Sequence, residues 1–259
     1  MEAGEFIQIW KQISGNITYR YFLIAGIAFL YFYVLFNKFF SIRKIQAKFP
    51  QKKDYLRDIT FSMITVLIFA TMATLVFWVL TPYTNLYREI DTYGKFYYWL
   101  TFPLMFLIHD TYFYWMHRLM HSPLLFKKVH LTHRLSTNPT PWTSYAFHPL
   151  EATIEAGIIP LIAFTLPVHR SALVLFLLFQ FIYNVYGHLG FELYPKNFHK
   201  TKIGRWINTS TAQNLHHRQF TGNYGLYFLI WDRWMGTLRK NYDHTFEEVT
   251  ERKTRKTTV

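Results

Sequence analysis

His117 and His121 stand four residues apart and open a run of imidazoles. On a helix such a pair shares one face and can grip a single cation. His130 and His133 follow at i, i+3, His188 stands alone further on, and His216 and His217 arrive as neighbours. Seven imidazoles exceed the needs of one four-coordinate ion. Their number and spacing predict two cations close together, and neutral imidazole suits iron, zinc, copper or nickel. Asp110, Tyr114, His117 and His121 form one continuous helical stripe. Glu151 lies three residues after His148, and Glu192 lies four after His188. Carboxylates so placed are candidates to accept a ring N–H and fix the tautomer of a ligand. His109, His169, His199 and His244 read as ordinary polar residues. Attack on an unactivated C–H bond needs a redox metal and dioxygen, a chemistry that zinc lacks.

These residues must be positioned by apolar elements. The chain has 259 residues, 51% of them hydrophobic and only 17% charged, against about 25% charged in an average soluble domain. Residues 21–36 hold no charge, and 59–81 hold none over 23 positions before Pro82. About 20 such residues cross the hydrocarbon layer. Residues 96–108 run apolar into His109, and 152–168 with 171–187 read as a hairpin of two helices in the bilayer. The runs lack the alternation of a barrel strand. The expected fold class is therefore all-α: a multi-pass helical bundle in the membrane, capped by a histidine-rich helical region. Lys38, Arg43, Lys44, Lys48, Lys52, Lys53 and Arg57 place the 38–57 loop in the cytoplasm. Counting spans from there puts 117–150 and 188–259, and with them the imidazoles, on the same side.

The formal net charge is +13, and the 28 Lys and Arg follow this topology. That pattern suits anionic headgroups, not a nucleic-acid partner. With no cysteine, a disulfide scaffold, an iron–sulfur cluster, a thiolate zinc site and a cysteine nucleophile are all excluded. Charges at Glu2, Glu5, Lys11 and Arg20 precede the first apolar run, so no cleavable signal peptide is expected. The expected organisation is N-terminal helices and a basic loop over 1–95, a catalytic region over 96–240, and a polar tail over 241–259.

Several strings then converge: His109-Asp110-Thr111-Tyr112-Phe113-Tyr114-Trp115-Met116-His117-Arg118, Ser136-Thr137-Asn138-Pro139-Thr140-Pro141-Trp142, His148-Pro149-Leu150-Glu151, Gly187-His188-Leu189-Gly190-Phe191-Glu192, and Gly222-Asn223-Tyr224-Gly225-Leu226-Tyr227 with Trp231-Asp232-Arg233. Together they resemble the fatty acid hydroxylase superfamily, in its sterol-desaturase-like branch, strongly over about residues 100–240. The resemblance implies two iron ions, dioxygen, an external electron donor and a lipid substrate: a sterol, a fatty acyl chain or a relative. It assigns the family's first histidine motif to His117 and His121. The second falls on His130 and His133, with Arg134 where another His is usual. The third falls on His216 and His217, with Gln213 where its leading His is usual and Ala212 beside it. His188 matches an isolated ligand position, and His148 is a candidate for one vacancy. Asp110 and Glu151 are the expected orienting carboxylates.

Arg134 offers no lone pair, and its charge beside cations is unfavourable unless Glu151 or another carboxylate neutralises it. Gln213 offers a carbonyl oxygen. These departures leave a second reading open: a catalytically impaired relative that binds lipid or a partner enzyme. A metal transporter is disfavoured because the clusters follow the helix ends instead of lying at the bilayer midplane. A haem protein with two axial histidines leaves five imidazoles unexplained.

Overall fold

The computed structural model describes residues 3–252. Two long helices lead. Helix α1 (Ala3–Phe29) runs on through a widened π turn to Leu35, and α2 (Lys52–Thr74) continues likewise to Val79. Gln51 and Asp54 form a capping box at the start of α2, satisfying backbone N–H groups that lack helical partners. A third long helix, α3 (Gly94–Met120), carries the HxxxH pair at its end. Then come α4 (Pro149–Ala156), α5 (Ile158–Thr165), α6 (Arg170–Gly187), α7 (Ser210–Gln219) and α8 (Tyr242–Glu251).

Among the described residues, three helices are long and apolar enough to cross a membrane: Ala3–Leu35, Lys52–Val79 and Arg170–Gly187. Phe22, Leu23, Ile27, Leu67, Phe179 and Ile182 are exposed along them. Apolar exposure on that scale fits hydrocarbon, where a helix satisfies its own backbone. The chain is a membrane protein. Between α1 and α2 the buried positions include Ala25, Ser62, Val66 and Ala70, small enough for close approach of the backbones.

Two expectations are corrected. The block 152–168 is not one helix. Gly157 breaks it into α4 and α5, each of eight residues, or about 12 Å. The Tyr112 hydroxyl donates to the Ile154 carbonyl at 2.7 Å, and a Cβ on Gly157 would lie 2.5 Å from that hydroxyl. The fold is mostly helical, as expected of an all-α protein; the short pairing of β1 (Leu86–Tyr87) in parallel with β2 (Val168–His169) is a local exception. The region from 241 is not simply a polar tail. Helix α8 buries Tyr242 and Phe246 against Ala212 and Leu215 of α7, with Val249 buried as well, and of this region only 253–259 lie outside the described residues.

One apolar cluster joins Tyr21, Ala25 and Val66 to Tyr145, Phe147, Phe181 and Val185. The Tyr21 hydroxyl donates to the Trp142 carbonyl at 2.9 Å. The N-terminal helices thereby hold the segment 141–147 in place from the membrane side. Asp58 does so from the loop side, accepting from Ser136 Oγ at 2.6 Å and Thr143 Oγ1 at 2.7 Å.

Candidate metal centre

Seven imidazoles meet in two groups. His117, His121, His130 and His216 form one, and His133, His188 and His217 form the other. Within each group one ligand atom per residue lies within 4.8 Å of all the rest. The groups abut, because His130 and His133 are one turn apart and His216 and His217 are adjacent. The corresponding ring centroids are 5.5 and 5.8 Å apart.

The ring nitrogens divide their work. His117 Nδ1 lies 3.0 Å from the Tyr224 carbonyl, His133 Nδ1 3.3 Å from Ala146, and His188 Nδ1 2.8 Å from Asn184. His216 Nδ1 is 2.8 Å from the Gly222 carbonyl and His217 Nδ1 2.9 Å from Ser136. His130 Nδ1 is 2.6 Å from Glu151 Oε1. A carbonyl oxygen only accepts, so Nδ1 donates in those five rings and their Nε2 is left as a bare lone pair. Those lone pairs point inward. His117 and His130 bring Nε2 atoms within 3.2 Å of each other, and His133 and His188 within 3.4 Å. Nε2 of His121, His216 and His217 is buried without a partner. Lone pairs at that distance repel, and buried acceptors without donors are costly. A bound cation resolves both problems, so the residues present fit a metal.

The rings are neutral as ligands must be. Burial pushes His130, His133, His216 and His217 well below the usual imidazole range, with the Arg134 charge adding to it. Burial takes His188 down to about 4. Glu151 is pushed up by burial, and the Arg134 charge holds it back.

Arg134 is fully buried, but no carboxylate among the described residues pairs with it. Its Nη2 donates to the carbonyls of His216 and His217, in the last turn of α7. The guanidinium also sits over the Phe220 ring, 4.9 Å from its centre. Gln213 stands in the second group, its side-chain nitrogen 3.4 Å from His188 Nε2.

Two expected site residues fall elsewhere. His148 lies outside both groups. It caps α4, its Nδ1 accepting from Leu150 N at 3.3 Å, because the N-cap position turns the ring toward the helix start. Asp110 does not reach an imidazole. Its Oδ1 accepts the backbone N–H groups of Tyr227 and Phe228 at 2.9 and 3.1 Å, so it anchors the loop whose Tyr224 carbonyl holds His117. Glu192 likewise serves the scaffold, accepting Thr211 N at 3.0 Å at the start of α7. Asp232 is a further anchor that sequence reasoning left without a role. It accepts Tyr224 N at 2.9 Å, Gly225 N at 2.8 Å and the Thr237 hydroxyl at 2.6 Å. Gly222 adopts φ +74°, a left-handed conformation natural to glycine, and its carbonyl meets His216. His169 caps α6, and His199 lies 3.5 Å from Glu247. His244 is exposed.

The fatty acid hydroxylase family profile matches residues 102–237, and the chain belongs to that family. Its curated relatives place it in the sterol-desaturase-like branch. The Delta(7)-sterol 5(6)-desaturase of Leptosphaeria maculans is 32% identical over 166 residues, covering 64% of this chain and 44% of that protein. An Aspergillus fumigatus Delta(7)-sterol 5(6)-desaturase is also 32% identical, over 65% of this chain and 46% of its own length. The Homo sapiens lathosterol oxidase is 28% identical over 83% of this chain and 72% of its own length. The chain thus spans less than half the length of the fungal relatives it matches. No solved structure matches it significantly.

Proposed function

We propose that the chain is a membrane-bound, oxygen-dependent oxidoreductase that hydroxylates or desaturates a lipid at a pair of iron ions. The observation that carries this reading is the inward convergence of seven Nε2 edges in two abutting groups. The first group supplies four imidazoles. The second supplies three, with the Gln213 amide as its fourth donor once its oxygen is turned inward. When bound, an iron pair would supply the oxidising power that activates dioxygen against an unactivated C–H bond.

The chain's own part is positioning and exclusion. Backbone carbonyls and Glu151 fix each ring so that the lone pairs point to one place. Phe113, Phe147 and Tyr224 pack around the imidazoles and exclude water. The basic 38–57 loop sets the histidine end at the cytoplasmic face, where an external donor delivers electrons. The lipid arrives from the bilayer side, between the helices.

Metal analysis of the detergent-purified protein, expressed with ample iron, tests the proposal. Two irons per chain are expected. Zinc in their place, or less than one metal per chain, would overturn it and favour the impaired relative that Arg134 and Gln213 raise.

A further inference from the structure

Away from the metal centre, two arginines share one tryptophan. Trp206 closes the short turn Gly204–Trp206, and Arg233 stands on the short helix Ile230–Trp234. The Arg205 and Arg233 guanidiniums both lie over the Trp206 ring, 5.0 and 5.9 Å from its centre. The backbone fixes this arrangement. Arg233 Nε donates to the Arg205 carbonyl at 2.8 Å, and Leu229 N donates to the Trp206 carbonyl at 2.8 Å. The charges, by contrast, are left open. Neither guanidinium has a carboxylate within 4.0 Å among the described residues. Asp232, which precedes Arg233, is turned inward to Tyr224, Gly225 and Thr237. Two like charges held at one indole repel each other, and the ring face offsets that only in part. An anion bound to both relieves it.

The surroundings say which anion. Trp231 Nε1 donates to Thr111 Oγ1 on α3 at 3.2 Å, one turn from the exposed Leu107. The Tyr183 hydroxyl on α6 donates to the Asn208 carbonyl at 2.7 Å, beside the exposed Phe179 and Ile182. The platform is therefore continuous with the exposed apolar sides of two long helices, and α6 is one of those able to cross the membrane. Its own edge is apolar as well: Ile203 is 74% exposed and Trp234 66%. Trp231 links Trp234 to Trp115 of α3, with 5.7 Å between centroids on each side. Tryptophans with arginines at the end of an apolar belt are the composition of a membrane–water boundary.

We propose that Arg205, Trp206 and Arg233 form a binding site for the phosphate of an anionic membrane phospholipid, seated at the bilayer surface between α3 and α6. The guanidinium forks donate to the phosphate oxygens, while Ile203 and Trp234 enter the boundary between headgroups and acyl chains. A phosphatidylcholine headgroup brings a cation of its own toward two others, so the site selects lipids whose headgroup carries net negative charge. The site is separate from the imidazole groups and does not depend on what they hold or oxidise.

The test is native mass spectrometry of the full-length protein in detergent, titrated with dioleoyl phosphatidylglycerol or dioleoyl phosphatidylcholine. A basic side chain at an anionic lipid surface is worth about fivefold in affinity. The wild type should therefore bind phosphatidylglycerol about tenfold or more tightly than phosphatidylcholine. Arg205→Gln should weaken phosphatidylglycerol by about fivefold, and Arg205→Gln with Arg233→Gln should remove most of the preference. Lys127→Gln with Lys128→Gln removes the same charge from exposed positions elsewhere and should leave the preference within about twofold. Equal binding of the two lipids by the wild type overturns the proposal. So does an equal loss in the two double variants, which would mean diffuse attraction without a site. Displacement of the lipid by an equal concentration of glycerol 3-phosphate or polyglutamate assigns the platform to a soluble phosphate or an acidic protein, and overturns the lipid assignment. If the Arg205 and Arg233 double variant does not fold, Arg205→Gln decides, because it leaves the backbone carbonyl that Arg233 uses in place.

Discussion

If the chain holds the proposed pair of irons, replacing Glu151 by Gln should loosen one of them and leave the other in place. Glu151 Oε1 lies 2.6 Å from His130 Nδ1, and both side chains are 1% exposed. Gln keeps the volume and an acceptor oxygen but removes the charge that makes the contact strong and the ring basic. Loss of such a partner costs about 10–100-fold in metal affinity, or about 1.4–2.7 kcal/mol. A second effect adds to it. Glu151 is the carboxylate that opposes the burial of the Arg134 charge, whose ionisation burial already brings down to about 9. Without Glu151 that charge has less compensation near the imidazoles. The assay is iron per chain after equilibration against a graded chelator. The wild type should release its metals in two steps, four imidazoles holding one and three with an amide the other. In Glu151→Gln the step of the His117, His121, His130 and His216 group should move by one to two decades of free iron, and the other step should stay. Coincident curves for variant and wild type, or a shift confined to the His133 group, would refute the orienting role.

Gln213→His should strengthen the second group, since an imidazole replaces an amide beside His188. The same titration should show slower release of the weaker metal, by tenfold or more, and no change would mean that Gln213 is not a donor. Asp232→Asn leaves one of the N–H groups of Tyr224 and Gly225 without an acceptor, at about 1–3 kcal/mol. Thermal unfolding followed by intrinsic fluorescence should fall by several degrees, and the His117 group should lose metal more readily. Acidification should destabilise the metal-free protein. His188, at about 4 when folded, and His130, His133, His216 and His217, all held low by burial, titrate near 6.5 when unfolded. Below that pH the unfolded chain binds more protons, so their stabilising contribution is complete above about 6.5 and is lost as pH falls. The carboxyls that burial raises, Asp110, Glu151, Glu192 and Asp232 among them, work in the opposite sense, so the fall expected is the excess of the imidazole contribution over theirs. An unfolding midpoint that is flat or rising from pH 7 to 5 would contradict the neutral-cage description.

The imidazole pairs were legible because a four- or three-residue spacing is local, and a helix converts it directly into a shared face. What turns each ring was not, because the acceptors are backbone carbonyls of Tyr224, Ala146, Gly222 and Ser136, and a carbonyl is the same in every residue. Asp110 shows how a correct periodicity leads to a wrong partner. It does lie on the face of α3 that carries His117, yet two turns separate them, and the amides of Tyr227 and Phe228 fill that gap. The break at Gly157 is silent in hydropathy because apolar residues flank it on both sides. Helix α8 was hidden by its charges, although Tyr242, Phe246 and Val249 recur at helical spacing on its buried face.

Arg134 carries this furthest. Read from the sequence, a guanidinium in place of an imidazole demands a carboxylate, and Glu151 is the nearest candidate. In the fold Nη2 turns instead to a helix end, while Nε and Nη1 stay buried without a partner among the described residues. The carbonyls of His216 and His217 lie in the last turn of α7, where the dipole is negative, and the His216 carbonyl also accepts the Phe220 N–H at 3.1 Å. Arg134 fills those acceptors on the residues whose rings serve the two groups. The substitution therefore removes one ligand and braces two others, tying the His130–Arg134 turn to α7 through protein alone. On this account the two groups keep their geometry without metal. Arg134→Met should then collapse the metal-free protein at a lower temperature while costing the metal-loaded form less, because the ions hold together the same elements that the guanidinium does. Equal losses in the two forms would show that the brace and the metals act on different parts of the fold.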